Sequence, residues 1–375
     1  MKVPAIICIL LFTIVSLPGQ SPDSQTVVGK AAQGDPWSQL PISTLNFIHT
    51  ADLSGLPQSP FILNPFQCTP RGDLFFQVPL PPKFMTRAFV TVTVKGKATM
   101  NSGATNIAGF EDIRQGAVFP RDQHVYEYIE GRYRRPGQPV NGTLEEPRWG
   151  EFIAQYAADG SFESLVPLTH ISFTPMVFAV LPSGSFVLVG KDFTNMAPVL
   201  VMLDRMGRNP QPLDLFGSPS YSTQGLSQFY PGVAHDNPAG TGLDRVLNAV
   251  QFLSYGDDVL LVQTGTNFPV VEIGEGGILR TMPLKLPAGT TIESFLPSTQ
   301  RLFYVRIADH RGETVIHRLV AFDPSTGDAL REIRVSGLLS PAFVACDSGS
   351  TFLGLGKTFK QASDNGVWNL MTASE

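Results

Sequence analysis

The chain has 375 residues, of which 43% are hydrophobic, 10% aromatic and only 16% charged. This composition excludes an intrinsically disordered chain, which would be poor in aromatic residues, and it supplies enough apolar side chains for a large buried core. The formal net charge of −5 and the isoelectric point near 5.7 exclude a general nucleic-acid binder, which would carry a basic excess.

The first twenty residues have the pattern of an export signal. Lys2 is the only early charge, an apolar run extends from Ile6 to Leu17, and small and turn-forming residues follow. The run is shorter than the ~20 residues that a membrane-spanning helix needs. We therefore expect cleavage between Gly19 and Ser21 and an exported protein, periplasmic or extracellular. The alternative is an uncleaved signal, which would be the protein's attachment to a membrane.

The rest of the chain is dominated by strand patterns. We divide the sequence into a signal peptide over residues 1–20, an N-terminal segment over 21–60 and a β-rich domain over 61–375. Short runs of β-branched and aromatic residues, such as AFVTVTVKG, SFVLVG and RLFYVRI, are bounded by Gly, Asp or Pro. No stretch keeps the apolar spacing of a helix across three turns without a breaker. The sequence therefore predicts an all-β fold.

The order of these patterns repeats along the chain. Each unit has a strand, a tight turn, a strand, a variable link, a strand, a second tight turn and a final strand. The clearest copy reads VFAVL-PSGS-FVLVG and then VLVMLD-RMGR-NPQPLDL. The six units run from Pro65 to Met100, from Ala117 to Leu168, from Val177 to Leu215, from Ala249 to Leu284, from Glu293 to Val335, and from Phe343 onward, the last without its fourth strand.

Such four-stranded meanders have two apolar faces and must stack on copies of themselves, and radial stacking gives a β-propeller. The units resemble those of six-bladed β-propellers of the NHL and TolB-like kind, whose blades read strand, D-x-x-G turn, strand and a second such turn. The glycines and aspartates at the turns suit the positive φ of two-residue hairpins. The RDQ and STQ turns lack the glycine and the spacing is irregular, so five or seven blades remain alternatives.

A closed ring requires a strand from the N-terminal segment to complete the last unit. We expect Ser43 to Ala51 to supply this strand, with Thr26 to Lys30 as the second choice. Two cysteines remain after signal removal, Cys68 and Cys346, at equivalent places before the first turns of the first and last units. In an exported propeller these units are neighbours and the pair can form a disulfide. Two separate buried thiols are the alternative.

The tight turns are expected at one end of the ring and the longer links at the other. Long loops on a rigid scaffold are where binding residues concentrate, so we expect a ligand at the long-link end. The predicted long links are Asn101 to Gln115, Glu130 to Glu146, Asp192 to Ala197, Phe216 to Asp244, and Ala308 to Thr314.

Three of these links contain candidate ligand-binding residues. Guanidinium groups beside a tyrosine suit carboxylate, phosphate or sugar-acid ligands, and adjacent His and Asp suit proton transfer or a metal. The alternatives are a solvated loop whose arginines pair with nearby glutamates, an insertion that covers the channel mouth, and an ordinary polar hairpin. The candidates are Arg132, Tyr133, Arg134, Arg135, Tyr221, Tyr230, His235, Asp236, Asp309 and His310.

The sequence contains no recognisable catalytic, cofactor-binding or metal-ligating motif, and its six histidines have no zinc-site spacing. The leading hypothesis is an exported β-propeller that acts as a binding or scaffold module for a protein or carbohydrate, without cofactor, metal or nucleic acid. The alternative is a hydrolase or lyase acting on a polysaccharide or peptide, with a site assembled from several blades at the channel mouth. The sequence does not indicate an oligomeric state.

Overall fold

The structure is a computed structural model that describes residues 35–53, 56, 63–69, 71–80, 87–101, 103, 107, 109–133, 148–168, 171–192, 198–213, 250–265, 269–300, 302–311, 314–338, 343–349, 351–358 and 366–374. These residues form β-strands and turns, with no α-helix among them, which confirms the all-β prediction. No helix in this part of the chain is long and apolar enough to cross a membrane. The unit that carries the strands begins at Leu40. Residues 35–39 belong to the preceding unit and form a turn.

The strands form six sheets, each a blade of a β-propeller. Blade 1 contains β3 (Leu63–Cys68), β4 (Leu74–Pro79), β5 (Arg87–Val92) and β6 (Ala98–Asn101). Blade 2 contains β7 (Phe110–Arg121), β8 (His124–Tyr133), β9 (Arg148–Ala157) and β10 (Phe162–Pro167). Blade 3 contains β11 (Phe173–Val180), β12 (Phe186–Asp192), β13 (Pro198–Leu203) and β14 (Gln211–Pro212).

The second half of the ring has the same order of strands. Blade 4 contains β15 (Val250–Tyr255), β16 (Asp258–Gln263), β17 (Val270–Gly274) and β18 (Gly277–Met282). Blade 5 contains β19 (Thr290–Leu296), β20 (Phe303–Arg311), β21 (Thr314–Phe322) and β22 (Ala329–Ser336). Blade 6 contains β23 (Val344–Asp347), β24 (Phe352–Thr358) and β25 (Val367–Ala373). The six repeats of the sequence therefore correspond to the six blades, as predicted.

The N-terminal segment supplies two strands, whereas one was predicted over Ser43 to Ala51. β2 (Ile48–Asp52) pairs antiparallel with β25 and gives blade 6 its fourth strand, while β1 (Ile42–Asn46) adds to β22 as a parallel fifth strand of blade 5. Phe47 lies between them, is buried, and donates its amide to the Ser336 carbonyl at 2.9 Å. Phe47 therefore divides the predicted strand into two strands, one in blade 5 and one in blade 6. The second choice, Thr26 to Lys30, lies outside the described residues.

Apolar side chains fill the interfaces between neighbouring blades. The largest core cluster joins Phe119 of blade 2, Phe178 and Phe186 of blade 3, and Phe252 of blade 4, all at most 2% exposed. Burial of one such side chain contributes roughly 1.5–3 kcal/mol, which explains why the apolar faces of the meanders stack. In blades 1 to 5 the first strand is the inner one, nearest the axis of the ring. Residues of these five strands line the cavity described below.

The tight turns differ in type from the two-residue hairpins that we predicted. In a typical case Gly184 donates to the Leu181 carbonyl and Leu181 donates to the Ser185 carbonyl, both at 2.9 Å. This is a type I turn followed by a left-handed glycine, with φ of 85° at Gly184. Asp122, in the RDQ turn that lacks a glycine, has a left-handed φ of 54° itself. The prediction of positive φ is thus confirmed, but the loop length is wrong for most turns.

Three of the predicted links are shorter than expected because the flanking strands continue through polar residues. β8 ends at Tyr133, so the link predicted from Glu130 to Glu146 begins later. β7 begins at Phe110, so the predicted link from Asn101 to Gln115 ends early. β20 and β21 leave only residues 312–313 between them, although Ala308 to Thr314 was predicted as a link. Backbone pairing extends a strand wherever its ladder is satisfied, so polar side chains at a blade's edge do not mark its end.

Candidate functional site

A cavity of about 460 Å³ lies at the centre of the ring, and residues of blades 1 to 5 line it. We call it the axial cavity. Its wall combines aromatic rings with amide, hydroxyl and charged groups. The aromatic lining residues are Phe66, Phe75, Phe119, Phe178, Phe252 and Phe295, and the polar ones are Gln67, Gln77, Gln251, Thr264, Glu293, Ser294 and Arg306.

β-Bulges in the inner strands turn residues toward this cavity. The strand register shifts next to Gly116 and Ala117 in β7, next to Met176 in β11 and next to Glu293 in β19. All four residues line the axial cavity. A bulge adds an unpaired residue and redirects its side chain, and bulges are common beside functional sites. Blades 2, 3 and 5 thus each have a β-bulge in the inner strand at the cavity wall.

Blade 5 contributes the two charged residues among those that line the cavity, Glu293 and Arg306. Arg306 is only 6% exposed; its burial lowers the pKa of the guanidinium to about 10, while the negative charge of Glu293 opposes this change. The guanidinium is therefore cationic at neutral pH. The Nδ1 atom of His317 lies 2.8 Å from a carboxylate oxygen of Glu293. The wall of blade 5 thus carries a buried cation next to a partly exposed anion.

Hydrogen bonds cross the ring at the end where the first turns lie. The Gln67 side chain of blade 1 donates to the Phe252 carbonyl of blade 4 at 2.5 Å. Arg121 of blade 2 donates to the carbonyls of Gly256 and Asp257, the first turn of blade 4, at 3.1 and 2.7 Å. Inner strands of non-neighbouring blades therefore meet here. This end of the ring is called the first-turn end.

The first-turn end also contains a covalent link between the first and last blades. Cys68 and Cys346 form a disulfide with their Cα atoms 5.7 Å apart, so the first of the two alternatives for the cysteines is correct. Beside it, the Asp347 amide of blade 6 donates to the Pro297 carbonyl of blade 5 at 3.0 Å, and Ser298 donates to the Asp347 carboxylate. Blades 5, 6 and 1 are joined at this end by these contacts.

At blade 4 the cavity extends to the opposite end of the ring, where the long links leave the blades. Val250 starts β15 directly after the link over residues 213–249, and Thr264 follows the end of β16. Both line the axial cavity. The cavity thus extends to the long-link end, while the contacts of Gln67 and Arg121 cross the ring at the first-turn end.

A second polar cluster lies on blade 2, where β8 and β9 approach the link over residues 134–147. The guanidinium carbons of Arg114 and Arg132 lie 4.9 and 5.4 Å from the ring centre of Trp149. The indole is 44% exposed and the Arg114 side chain 67%. We call Arg114, Arg132 and Trp149 the guanidinium platform.

Two carboxylates lie beside the guanidinium platform. Glu130 and Glu151 face each other in the ladder between β8 and β9, and the Tyr128 hydroxyl donates to Glu130 at 3.2 Å. Burial and the negative charge of Glu130 raise the pKa of Glu151 from 4.5 to about 7. The Glu151 carboxyl group therefore exchanges its proton near neutral pH.

The predicted site residues are only partly within the described part of the chain. Arg132 is exposed and belongs to the guanidinium platform, and Tyr133 is the last residue of β8, paired through its backbone with Phe110 and Arg148. The other candidates of the two larger links lie outside the described residues. These are Arg134, Arg135, Tyr221, Tyr230, His235 and Asp236.

Asp309 and His310 are both on β20 near the long-link end, but their side chains have separate surroundings. Asp309 is buried and its carboxylate lies 2.7 Å from Nη2 of Arg311 and 3.4 Å from Nε of Arg318. His310 is exposed and lies 3.1 Å from the Thr291 hydroxyl. Successive residues of a strand point to opposite faces. Within the described ranges no group of three His, Cys, Asp or Glu side chains could hold a metal ion.

Sequence reasoning missed the residues that the structure brings together. Arg306 and Glu293 are single charges inside the apolar strand patterns FYVRI and TIESFL, and such an interruption is a usable signal for an inward-facing polar group. Trp149 and Glu151 lie in the segment RWGEF, which matches no strand repeat or binding motif identified in the sequence. Their significance depends on the pairing of β9 with β8, which the sequence does not specify.

No family model matches the chain, and no curated protein does. Solved structures that match it include the β-propeller domain of the Trilobed protease from Pyrococcus furiosus, with 7% identity, 67% of this chain and 65% of that chain covered, and a TM-score of 0.37. A DUF4623 family protein from Bacteroides eggerthii matches with 9% identity, coverages of 84% and 71%, and a TM-score of 0.37.

A third solved structure, the polysaccharide lyase Uly1, matches with 10% identity, coverages of 82% and 57%, and a TM-score of 0.32. The chain thus spans less than two thirds of the length of two of these three structures, the protease domain and the lyase. The similarity concerns the fold, and the assignment of six blades rests on the six sheets of the chain itself.

Proposed function

We propose that the chain is an exported β-propeller that acts as a binding module, and that its ligand enters at the long-link end and occupies the axial cavity. The observation that carries this proposal is the asymmetry of the cavity. It reaches the long-link end beside Val250 and Thr264, whereas hydrogen bonds of Gln67 and Arg121 cross the ring at the first-turn end.

The lining of the axial cavity supports binding of a ligand with both apolar and polar parts. Its volume of about 460 Å³ is in the usual range for small-molecule sites, roughly 300–1,000 Å³. Phenylalanine rings offer apolar contact, and the side chains of Gln77 and Gln251 offer both donors and acceptors. A saccharide or a peptide segment fits this chemistry.

Export is supported by the covalent link between the first and last blades. Disulfides persist in oxidising compartments and are rare in reducing ones, so the Cys68–Cys346 bond suits a periplasmic or extracellular protein. The N-terminal pattern over residues 1–20 points the same way. The closer kinship to NHL and TolB-like propellers stays a prediction.

The binding proposal is tested by filling the axial cavity. Panels of glycans and peptides are screened for ligands that raise the melting temperature of the wild-type protein, and each hit is measured again with Ala117→Trp. Ala117 lines the cavity at a bulge, so the indole should occupy the space and abolish binding. Met206→Trp, at an exposed turn of blade 3, is the control and should bind normally. Unchanged affinity for every hit in the folded Ala117→Trp variant would refute the proposal.

A second candidate function, a hydrolase or lyase acting on a polysaccharide, is favoured by the Glu130–Glu151 pair. A carboxyl group with a pKa of about 7 beside a second carboxylate suits general acid–base catalysis at neutral pH. The test is product release from a panel of polysaccharides by the wild-type protein and by Glu151→Gln. Turnover that falls by roughly 100-fold in the variant supports an enzyme, and equal turnover excludes this pair from catalysis.

A further inference from the structure

The guanidinium platform holds two cationic groups against one exposed aromatic ring. Arg114 and Arg132 both lie within 5.4 Å of the Trp149 ring centre, in the range of a cation–π contact. A guanidinium that stacks on a ring keeps its N–H groups in its own plane, where they remain available to a planar anion. Paired N–H groups of arginine match the two oxygens of a carboxylate.

The strand pairing of blade 2 sets the backbone positions of these residues before any ligand arrives. Arg132 faces Trp149 directly in the ladder between β8 and β9, and Arg114 faces Glu130 in the ladder between β7 and β8. The three platform residues are therefore on three adjacent strands of one sheet. A group fixed by its neighbours loses less conformational entropy on binding than a free side chain does.

The carboxylates beside the platform restrict which anion it can accept. The Glu130 carboxylate lies 3.9 Å from Nη1 of Arg114, and Glu151 faces Glu130 in the ladder. These carboxylates and the net charge of −5 oppose any anion through Coulomb repulsion, so binding depends on direct contacts of the anion with the two arginines. A ligand that places hydroxyl groups next to its carboxylate would instead donate to Glu130 while its carboxylate binds the arginines.

From these contacts we propose that Arg114, Arg132 and Trp149 form a binding site for a sugar acid within an acidic polysaccharide. The sugar carboxylate accepts from the two guanidinium groups, and its hydroxyl groups donate to Glu130. The site is separate from the axial cavity, because none of the three platform residues lines that cavity. The proposal therefore stands or fails independently of the one made for the cavity.

The probes are trigalacturonate and a hyaluronan tetrasaccharide, each compared with the neutral trisaccharide maltotriose by titration calorimetry and tryptophan fluorescence. At least one acidic probe should bind and quench the fluorescence, with an affinity at least about tenfold above that of maltotriose, since a charge-assisted hydrogen bond changes affinity by about that factor or more. Trp149 is one of three tryptophans, so Trp149→Phe should remove the quenching.

Substitutions of Arg132 and Arg114 test the two guanidinium groups, and a lysine elsewhere on the ring serves as the matched control. Arg132→Gln and Arg114→Gln should each weaken binding of the acidic probe by about tenfold, and Arg132→Lys should restore part of the loss. Lys357→Gln is the control, because Lys357 lies 5.1 Å from the Trp368 ring on blade 6 and should not matter. Arg132 is exposed, so its variants are expected to fold with an unchanged melting temperature.

Several results would overturn the proposal. They are equal affinity for maltotriose, binding of neither acidic probe, unchanged affinity in the two glutamine variants, or tighter binding of a phosphopeptide or of single-stranded DNA. The Ala117→Trp variant should bind the acidic probe like wild type, and loss of binding there would place the sugar acid in the axial cavity instead.

Discussion

The two ends of the propeller are built differently. The first-turn end has short turns, a disulfide between blades 1 and 6, and hydrogen bonds that cross the axis from Gln67 and Arg121 to blade 4. The long-link end has the longer connections, the opening of the axial cavity beside Val250, and the polar groups of the guanidinium platform. One end therefore stabilises the ring, while the other end exposes polar and charged side chains that can contact a ligand.

This difference teaches how a propeller separates stability from binding. Hydrogen bonds that tie non-neighbouring blades together contribute most when their groups are buried, as Gln67 and Arg121 are at the first-turn end. Binding groups such as Arg132 are partly exposed and contribute little to folding. Substitutions at the first-turn end should thus lower stability, and substitutions at the long-link end should change binding or pH dependence.

The largest expected effect comes from breaking the disulfide. Cys346→Ser opens a link with a sequence separation of 278 and should lower the free energy of unfolding by about 4 kcal/mol. Urea denaturation of the variant and of the reduced wild-type protein measures this loss. The double variant with Cys68→Ser should lose no more than the single one, because both remove the same bond. A loss below about 1 kcal/mol would contradict a covalent closure of the ring.

Removal of the Arg121 side chain should have the next largest effect. Its guanidinium is buried and donates to two carbonyls of the first turn of blade 4, so Arg121→Ala should cost about 2–4 kcal/mol in unfolding free energy. Arg208→Ala, at an exposed turn of blade 3, is the comparison and should stay within about 0.5 kcal/mol of wild type. Similar losses in the two variants would mean that the contact across the axis is unimportant.

A smaller effect is expected from a turn glycine. Gly184 has a φ of 85°, and an added Cβ would meet its nearest neighbour at 3.4 Å, so Gly184→Ala tests the backbone conformation and not a clash. The left-handed conformation should cost about 1–2 kcal/mol for alanine. Gly276→Ala, where no atom lies within 4 Å and φ is outside the left-handed region, should be neutral or slightly stabilising. Thermal unfolding of both variants gives the difference.

The smallest expected effect is a pH dependence at the long-link end. The pKa of Glu151 is about 7 in the folded protein and 4.5 ordinarily, so the unfolded chain loses this proton first and stability falls as the pH rises from 4.5 to 7. Glu151→Gln should remove this fall and raise stability at pH 8 by about 1 kcal/mol, after allowance for solvent screening. Denaturation curves at pH 5 and pH 8 test it, and an unchanged slope in the variant would contradict the assignment to Glu151.

Much of the fold could be predicted because each blade is specified locally. Apolar runs and turn residues such as Gly184 mark strands and hairpins within a few residues, so six repeats were sufficient to give six blades. The division of the N-terminal strand at Phe47 could not be predicted. It depends on a backbone contact with Ser336, which is distant in the sequence.

The candidate site was less predictable for the same reason. Arg132 was identified from its own basic segment, but its partners Arg114 and Trp149 are on other strands of blade 2. The axial cavity depends on bulges, and Glu293 faces inward because the register of β19 shifts there. A register shift arises from the pairing of two strands and has no signature in either strand alone.

The difference between the two ends is tested most directly by the accessibility of two positions on the same inner strand, β15. Gln251 lines the axial cavity, whereas Ser254, three residues nearer the first-turn end, is buried at 9% exposure. Cysteines introduced by Gln251→Cys and Ser254→Cys are labelled with a maleimide in the disulfide-bonded protein. We expect labelling at position 251 to be faster by roughly 100-fold or more, since a buried thiol reacts only after local opening. Equal labelling rates would contradict a difference in accessibility between the long-link end and the first-turn end.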